Sequence, residues 1–240
     1  MKLNLESIET QTHLTDATTK LGRLVSLDPR DKKFSLTIPP SPEIDRMERY
    51  WITGPVLDQR RDPHCVAYAW TQMLMSSPVQ NLPYKTEAEL YHECQDNDEW
   101  QGNDYDGTSV RAGAKVLRSK GYIKEYRWAF NLEELVYHVM VTGPMVFGST
   151  WYRGMMKTGV NGFIAATGQA MGGHAYLIIG ADLDRVCPDG SIGALRILNS
   201  WGTGFGEKGR AWLSLFDAAR LLSEWGEICM ATELRFKPQE

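Results

Sequence analysis

The stretch from Asn199 to Glu207 reads Asn-Ser-Trp-Gly-Thr-Gly-Phe-Gly-Glu and directly follows the apolar run from Ala194 to Leu198. A short apolar run that ends in polar residues and repeated glycines is typical of a buried strand followed by a turn. Similar runs separated by glycine fill the chain from Gly143 onward: Met145 to Trp151, Ala175 to Gly180, Arg210 to Leu215 and Glu227 to Phe236. The second half of the chain is therefore predicted to be mostly strand.

The first half of the chain shows helical periodicity instead. From Pro63 onward apolar residues recur at helical spacing, and Cys65 falls in the first turn of that helix. Capping residues predict three more helices, which begin at Thr86, at Thr108 or Ser109, and at Asn131. Helices followed by antiparallel strands indicate an α+β chain with two lobes, and a cleft between such lobes is a common place for a site.

Three regions are expected along the chain. Residues 1–50 are interrupted by prolines, which favour an extended arm lying across the body of the protein. Residues 51–142 are predicted to form a helical lobe, and residues 143–240 a β-rich lobe. We expect the arm, up to Pro42, to dock on this body without filling the cleft between the lobes.

The amino-acid composition argues against two classes of binding partner, nucleic acids and membranes. The chain has 240 residues, with 26 Lys and Arg against 30 Asp and Glu, and this slightly acidic balance provides no basic field for nucleic acid. No apolar run reaches the roughly 18 residues of a membrane span, and the polar start lacks the apolar region of a signal peptide. We therefore expect a soluble, cytoplasmic protein that binds neither nucleic acid nor membranes.

The four cysteines show no pairing pattern. They lie at positions 65, 94, 187 and 229 without a Cys-x-x-Cys motif, so neither a zinc site nor a dense disulfide framework is indicated. The sequence accordingly predicts no metal and no cofactor.

Cys65 occupies a chemically special position. At a helix N-terminus the unpaired backbone N–H groups and the helix dipole stabilise a thiolate, which lowers the pKa of the thiol. The alternative is a small buried apolar residue, which is the commoner role of a helical cysteine. The surrounding motifs must decide between the two.

Three motifs accompany this cysteine. Gln59 precedes Cys65 by six residues, Gly172-Gly173-His174 opens an apolar run, and Asn199 begins the stretch quoted above. In this combination the chain resembles the papain-like (C1) cysteine peptidases, from about Leu21 to Ile228. Its lead-in resembles that of bacterial members without a long inhibitory pro-region. The resemblance implies a helical lobe packed on an antiparallel β-barrel-like lobe, with Cys65 and His174 on opposite walls of the cleft.

The resemblance also implies a role for each residue of the set. His174 would take the proton of Cys65, and Asn199 would accept a hydrogen bond from the imidazole and fix its orientation. Gln59 and the backbone N–H of Cys65 would stabilise the oxyanion. Trp201 would cover the bond between His174 and Asn199. The family pattern further nominates substrate-binding residues, namely Gly107, Met171, Ala175 and Trp201.

The sequence departs from the family pattern next to the nucleophile. Arg60 stands where a glycine is usual, Pro63-His64 replaces a Gly-Ser pair, and Val66 replaces a frequent tryptophan. Side chains of helical neighbours point about 100° apart, so His64 is a poor base for Cys65. The remaining histidines are interpreted as surface or helix-face residues: His13, His92 and His138.

Two classes of function remain open. The first is a cysteine-dependent peptidase that hydrolyses peptide amide bonds of a peptide or protein substrate through a thioester, with acyl transfer to an amine as a chemical variant. The second is a non-catalytic binding or assembly module that keeps the fold, as the rebuilt loop 60–64 suggests. The sequence carries no signal for the oligomeric state or for cleavage specificity.

Overall fold

A computed structural model describes residues 21–79 and 86–234 of the chain. Its helices are α1 (Cys65–Met75), α2 (Glu87–Gln95), α3 (Val110–Ser119), α4 (Leu132–Val141) and α5 (Leu215–Ser223). Its strands are β1 (Arg23–Leu24), β2 (Glu48–Tyr50), β3 (Thr108–Ser109), β4 (Ile123–Ala129), β5 (Met145–Tyr152), β6 (Phe163–Ile164), β7 (Ala170–Val186), β8 (Ile192–Leu198), β9 (Arg210–Ser214) and β10 (Glu227–Leu234). A 3₁₀ helix spans Pro29–Phe34.

Side-chain caps begin the helices that follow α1. The side-chain oxygens of Thr86, Ser109 and Asn131 each accept a hydrogen bond from the backbone N–H three residues later. Each cap satisfies one backbone donor that the helix itself leaves open. The predicted starts of α2, α3 and α4 are therefore confirmed. In the described part of the chain α1 has no such cap, since the His64 side chain makes no capping bond.

One large sheet carries the second half of the chain. Its strand order is β4-β10-β5-β7-β8-β9-β6, and β2 pairs with β7 outside this path. The register places Gly148 of β5 opposite both Ala175 of β7 and Glu227 of β10. It also pairs Ser149 with His174. The centre of the sheet thus brings three strand positions together beside the first helix.

The apolar interior contains two main clusters. The first joins α1, α2 and α3 to β4 and to one side of the sheet, and it includes Cys65. The second joins α4 and α5 to the other strands, and it includes Trp201. Cys65 and Trp201 therefore belong to two different packed cores. The predicted lobe boundaries at residues 50 and 142 stay predictions.

Two elements differ from the sequence prediction. β4 lies in the half predicted to be helical, and α5 lies in the half predicted to be strand. The charges within β4 (Ile-Lys-Glu-Tyr-Arg-Trp-Ala) interrupt its apolar alternation, while its edge pairing with β10 keeps it extended. α5 begins at Ser214, whose side chain accepts from the N–H of Asp217. No helix in the described ranges is long and apolar enough to cross a bilayer.

Candidate active site

Cys65 begins α1 and is fully buried. Burial raises the pKa of its thiol to about 11, against the opposing effect of the backbone N–H groups of Ala175, Gly22 and Val66. The sequence predicted a lowered pKa from the helix N-terminus. For the state that the structure describes this prediction is wrong, because loss of water destabilises the thiolate more than the backbone dipoles stabilise it.

His174 is hydrogen-bonded to Asn199. Nε2 of the ring lies 2.8 Å from Oδ1 of Asn199, and the backbone N–H of Ser200 donates to the same oxygen over 2.8 Å. This second donor identifies Oδ1 as the acceptor atom, so the imidazole donates through Nε2. In the neutral ring the proton therefore lies on Nε2, and Nδ1 is the acceptor atom. The backbone N–H of the next residue, Ala175, acts to lower the pKa of the Cys65 thiol.

Aromatic rings enclose the imidazole. The ring centroid of Trp201 lies 5.1 Å from that of His174, and the rings of Trp151 and Tyr176 lie at 4.7 and 6.1 Å. All of these side chains are buried. The sequence motifs indicate Trp201, but they give no sign of Trp151 or Tyr176. Strand alternation could have indicated both residues. Trp151 is the last buried position of β5, and Tyr176 lies two residues after His174 on β7, on the same face of the strand.

Gln59 is held against the segment that carries Asn199. Its backbone N–H donates to the carbonyl oxygen of Ser200 over 2.8 Å, and its Oε1 accepts from the Ser200 hydroxyl over 2.6 Å. Its Nε2 donates to the carbonyl oxygen of Asp62 over 2.6 Å. The side chain is fully buried. The structure thus fixes the amide of Gln59 in the loop that leads to Cys65.

The altered loop keeps an unusual backbone conformation. Arg60 has a φ of 53°, in the left-handed region that glycine adopts most readily, and Asp58 accepts from its N–H over 2.8 Å. Arg60 therefore adopts a backbone conformation that favours glycine, at the position where the resemblance led us to expect one. The His64 ring stacks on Tyr91, with centroids 3.8 Å apart, as fits a packing residue.

The other histidines of the described chain have packing or hydrogen-bond partners of their own. His92 packs on Tyr91, and Nδ1 of His138 lies 2.9 Å from the Thr142 hydroxyl. His13 falls outside the described residues. Among the described residues, no group of three His, Cys, Asp or Glu side chains is arranged to hold a metal ion.

The N-terminal part of the described chain passes through the cleft. We call residues 21–24 the strap. The N–H of Gly22 donates to the carbonyl oxygen of Gly173 over 3.1 Å, and the carbonyl of Gly22 accepts from Thr108 over 2.9 Å. β1 continues this contact as a parallel pair with β3. The prediction that the arm leaves the cleft unfilled is wrong, since the strap bridges both walls and covers Cys65.

Glycines make this passage possible. A methyl group placed on Gly22 would lie 2.0 Å from the carbonyl oxygen of Pro63. One placed on Gly173 would lie 2.0 Å from the carbonyl oxygen of Arg23, and one on Gly107 would lie 2.4 Å from that of Gly22. Each position needs the absence of a side chain, because backbone oxygens occupy the space. Gly107, nominated as a lining residue, thus contacts the strap.

The other nominated lining residues take different positions. Ala175 is fully buried in the same core cluster as Cys65, and its backbone N–H lowers the pKa of the thiol. Met171 is half-buried and packs against the second core cluster. Its neighbour Gly172 contacts the side chain of Leu21, at 3.1 Å from a methyl group placed on Gly172. A role in substrate binding stays a prediction for each of them.

Further along the arm, ion pairs and strand pairing hold it to the body. Nη1 of Arg111 on α3 donates to Oδ1 of Asp31 over 2.6 Å, and both side chains are nearly buried. The N–H of Leu36 donates to the carbonyl of Trp128 over 2.8 Å. Finally, β2 pairs with residues 180–182 of β7.

Comparison with known proteins identifies the fold. No family model and no curated protein matches the chain. Among solved structures, xylellain, a cysteine protease from Xylella fastidiosa, is 21% identical with a TM-score of 0.68, over 92% of this chain and 98% of that one. Bromelain from Ananas comosus is 17% identical with a TM-score of 0.59, over 78% and 99% of the two chains. Digestive procathepsin L 3 of Tenebrio molitor is 14% identical with a TM-score of 0.60, over 89% and 84%.

The chain therefore has the papain-like cysteine protease fold, in the α+β, two-lobed form that the motifs predicted. The resemblance found in the sequence is confirmed at the level of the fold.

Proposed function

We propose that this protein is a cysteine peptidase that hydrolyses peptide amide bonds through a thioester, and that the strap holds it in a latent state. The observation that carries this proposal is the 2.8 Å bond between His174 and Asn199, on the strand whose next residue, Ala175, lowers the pKa of the Cys65 thiol through its backbone N–H. A thiol, an imidazole and an amide that orients it form the set that nucleophilic thiol catalysis requires.

The reaction would follow from this arrangement once the strap has moved. Nδ1 of His174 takes the proton of Cys65, and the thiolate forms a bond to the carbonyl carbon while the carbonyl electron pair moves to oxygen. Gln59 Nε2 and the Cys65 backbone N–H would donate to that oxyanion. The carbon–nitrogen bond then breaks, and the amine leaves with the proton from His174. Water attacks the thioester carbonyl carbon while Nδ1 of His174 takes its proton, and the carbon–sulfur bond breaks to release the carboxylic acid and the thiolate.

The strap lies in the cleft in an unreactive orientation. The backbone N–H of Gly22 donates to the carbonyl oxygen of Gly173 over 3.1 Å. The carbonyl oxygen of Gly22 is bound by Thr108, on the wall opposite His174. Attack needs the carbonyl carbon near the sulfur and its oxygen near the oxyanion donors. The strap would therefore block the site without being cleaved.

The test is hydrolysis of a peptide library by the full chain, with Cys65→Ala as the inactive control. We expect slow turnover by the wild type that Cys65→Ala and His174→Ala both abolish. Turnover that survives in Cys65→Ala would contradict the proposal. So would the absence of any turnover in a variant whose strap has been shown to be displaced.

A second candidate is the non-catalytic module. The complete burial of both Cys65 and His174 favours it, because substrate cannot reach either residue in this state. Alkylation distinguishes the two. A variant with a displaced strap should react with iodoacetamide near pH 5.5 if Cys65 and His174 form an ion pair, and this reaction should collapse when His174→Ala is added. A reaction that begins only near the ordinary thiol pKa of ~8.5 would support the module.

A further inference from the structure

Two ion pairs join the N-terminal segment to the body, one in the strap and one farther along the arm. In the strap, Nε of Arg23 donates to Oε1 of Glu227 over 2.9 Å, and these side chains are only 1% and 2% exposed. In the arm, Asp31 accepts from Nη1 of Arg111 over 2.6 Å. The strap thus contributes a cation and the arm an anion. The body contributes their two nearly buried partners, the anion Glu227 and the cation Arg111.

The two charges of the body face the same buried region. The guanidinium carbon of Arg111 lies 5.1 Å from the ring centroid of Trp128, which pairs with Cys229 in the register of β4 and β10. Glu227 precedes Cys229 by two residues, so it lies on the same face of β10, roughly 7 Å along the strand. A rotation of the long arginine side chain can close a gap of this size. Arg111 and Glu227 are therefore potential partners of each other.

Glu227 already attracts Arg111 while the cleft is closed. Against the opposing effect of burial, Asp31, Glu227 and Glu99 raise the pKa of Arg111, in that order of strength. Glu227 acts more strongly than Glu99, although a Glu99 oxygen lies only 3.9 Å from Nε of Arg111. Burial explains the difference, because charges shielded from water interact over longer distances. Within the described residues, Oε2 of Glu227 has no hydrogen-bond partner, so it can accept from a second donor.

The charge balance of this region depends on which segment leaves first. If the strap leaves while the arm stays docked, Asp31 keeps Arg111 engaged and Glu227 becomes a buried charge without a partner. If Asp31 leaves instead, two buried cations share the single carboxylate of Glu227. An uncompensated buried charge is costly. Balance returns when Arg111 binds Glu227 and Arg23 moves into water together with the strap.

We propose that Arg111 exchanges Asp31 for Glu227 when the arm leaves the body, and that this exchange expels Arg23 and opens the cleft. The inference rests on the latent state proposed above, in which the strap covers Cys65, and does not require peptide hydrolysis. Asp31 belongs to the 3₁₀ helix Pro29–Phe34. Undocking of this helix thereby becomes the event that releases the strap.

The first test compares two variants of the full chain that break the same ion pair. In Asp31→Asn, Arg111 should bind Glu227 and displace Arg23. We expect iodoacetamide at pH 7.5 to alkylate Cys65 at least roughly 10-fold faster than in wild type, because the thiol is exposed more often. In Arg111→Gln no second cation competes for Glu227, so the rate should stay within about 3-fold of wild type. Similar acceleration in both variants would overturn the proposal, because it would mean that the pair only anchors the arm.

The second test combines the two substitutions. In Asp31→Asn/Arg111→Gln, Arg23 and Glu227 again form a balanced pair, so alkylation of Cys65 should return to nearly the wild-type rate. A double variant that reacts as fast as Asp31→Asn, or faster, would contradict the exchange. Asp28→Asn is the matched control, because it breaks the exposed pair with Arg30 in the same segment without changing the buried charge. Its rate should equal that of wild type, and a rate as high as that of Asp31→Asn would attribute the opening to a loosened arm alone.

These measurements separate the exchange from the proposed peptidase function. Alkylation needs no turnover, so the exchange is decided even if no peptide is cleaved, in which case the peptidase function alone fails. If Asp31→Asn does not fold, Arg111→Gln decides, because it removes the same anchor of the arm. A rate near that of wild type would then support the exchange, and an acceleration of 10-fold or more would overturn it.

Discussion

The backbone N–H of Gly22 donates to the carbonyl oxygen of Gly173 over 3.1 Å, one residue before His174. The strap is therefore bound to the same strand that presents the candidate base. Because these contacts are made by the backbone at positions without side chains, they depend on close approach more than on side-chain chemistry. A substitution that adds a side chain at Gly22 is thus the most direct way to displace the strap from the cleft.

Gly22→Ala should displace the strap. Its methyl group would lie 2.0 Å from the Pro63 carbonyl oxygen, and neither backbone segment can yield cheaply. We expect alkylation of Cys65 by iodoacetamide at pH 7.5 to accelerate at least roughly 10-fold, because a local opening that becomes about 1.4 kcal/mol easier exposes the thiol ten times more often. Mass spectrometry of the Cys65 peptide measures the rate.

Gly204→Ala is the matched control, since nothing lies within 4 Å of a methyl group there. Its Cys65 should react at the wild-type rate. Equal rates in Gly22→Ala and wild type would show that the strap does not limit access to the thiol.

Gln59→Ala should lower kcat by roughly 10²-fold, as expected for the loss of one oxyanion donor. We expect kcat to fall because the hydrogen bond from Gln59 forms in the transition state. Steady-state kinetics in the Gly22→Ala background measure it without interference from the strap. A kcat equal to that of the background variant would reject the role.

Arg23→Ala should make stability depend on pH through Glu227. Burial already raises the pKa of this carboxyl above 4.5, and loss of the Arg23 cation raises it further. Below about pH 4.5 the carboxyl is protonated in both the folded and the unfolded protein, so the charge costs nothing. As the pH rises, the Glu227 carboxyl of the variant must either stay protonated or become an unpaired buried charge. We expect it to be less stable than wild type by about 3 kcal/mol at pH 7.5, and by much less at pH 4.5.

Urea unfolding at the two pH values measures this difference. In Arg23→Ala/Glu227→Gln no carboxyl titrates at position 227, so the additional loss of Arg23→Ala between pH 4.5 and 7.5 should disappear. A loss for Arg23→Ala that does not grow with pH would mean that Glu227 is not charged in the wild type.

The buried thiol of Cys65 should destabilise the protein at alkaline pH. Its pKa of about 11 exceeds the ordinary value of 9.0, so the folded protein holds the proton more tightly. That stabilisation is complete below pH 9 and is lost as the pH rises toward 11. Between pH 9 and 10, wild type should lose roughly 1 kcal/mol more than Cys65→Ala in unfolding free energy. The other cysteines are present in both proteins, so an equal loss would indicate an exposed thiol.

Local signals predicted much of the fold and the central part of the site. The caps at Thr86, Ser109 and Asn131 are contacts between neighbours in the chain, so the sequence contains them directly. The pairing of His174 with Asn199 was predicted from motif resemblance. The cap of α5 at Ser214 is the same kind of local contact. The sequence nevertheless predicts a strand over this segment, from Arg210 to Leu215.

The occupied cleft could not be predicted in the same way. Gly22 meets Pro63, Gly107 and Gly173 only after folding, and a missing side chain leaves no periodic pattern. In the sequence, Glu227 is recognisable only as the first residue of a predicted strand. Its partner Arg23 lies 204 residues away, and only the register of β10 against β5 brings the two together.

The bond between Arg111 and Asp31 anchors the chain shortly beyond the strap, and the pairing of β2 with β7 anchors it again from Glu48. A displaced strap therefore stays tethered, and its return is an intramolecular event. Short flexible tethers give effective concentrations on the order of millimolar. Dilution should consequently not activate the protein, and a competing peptide would have to reach similar concentrations, unless the tether is cut.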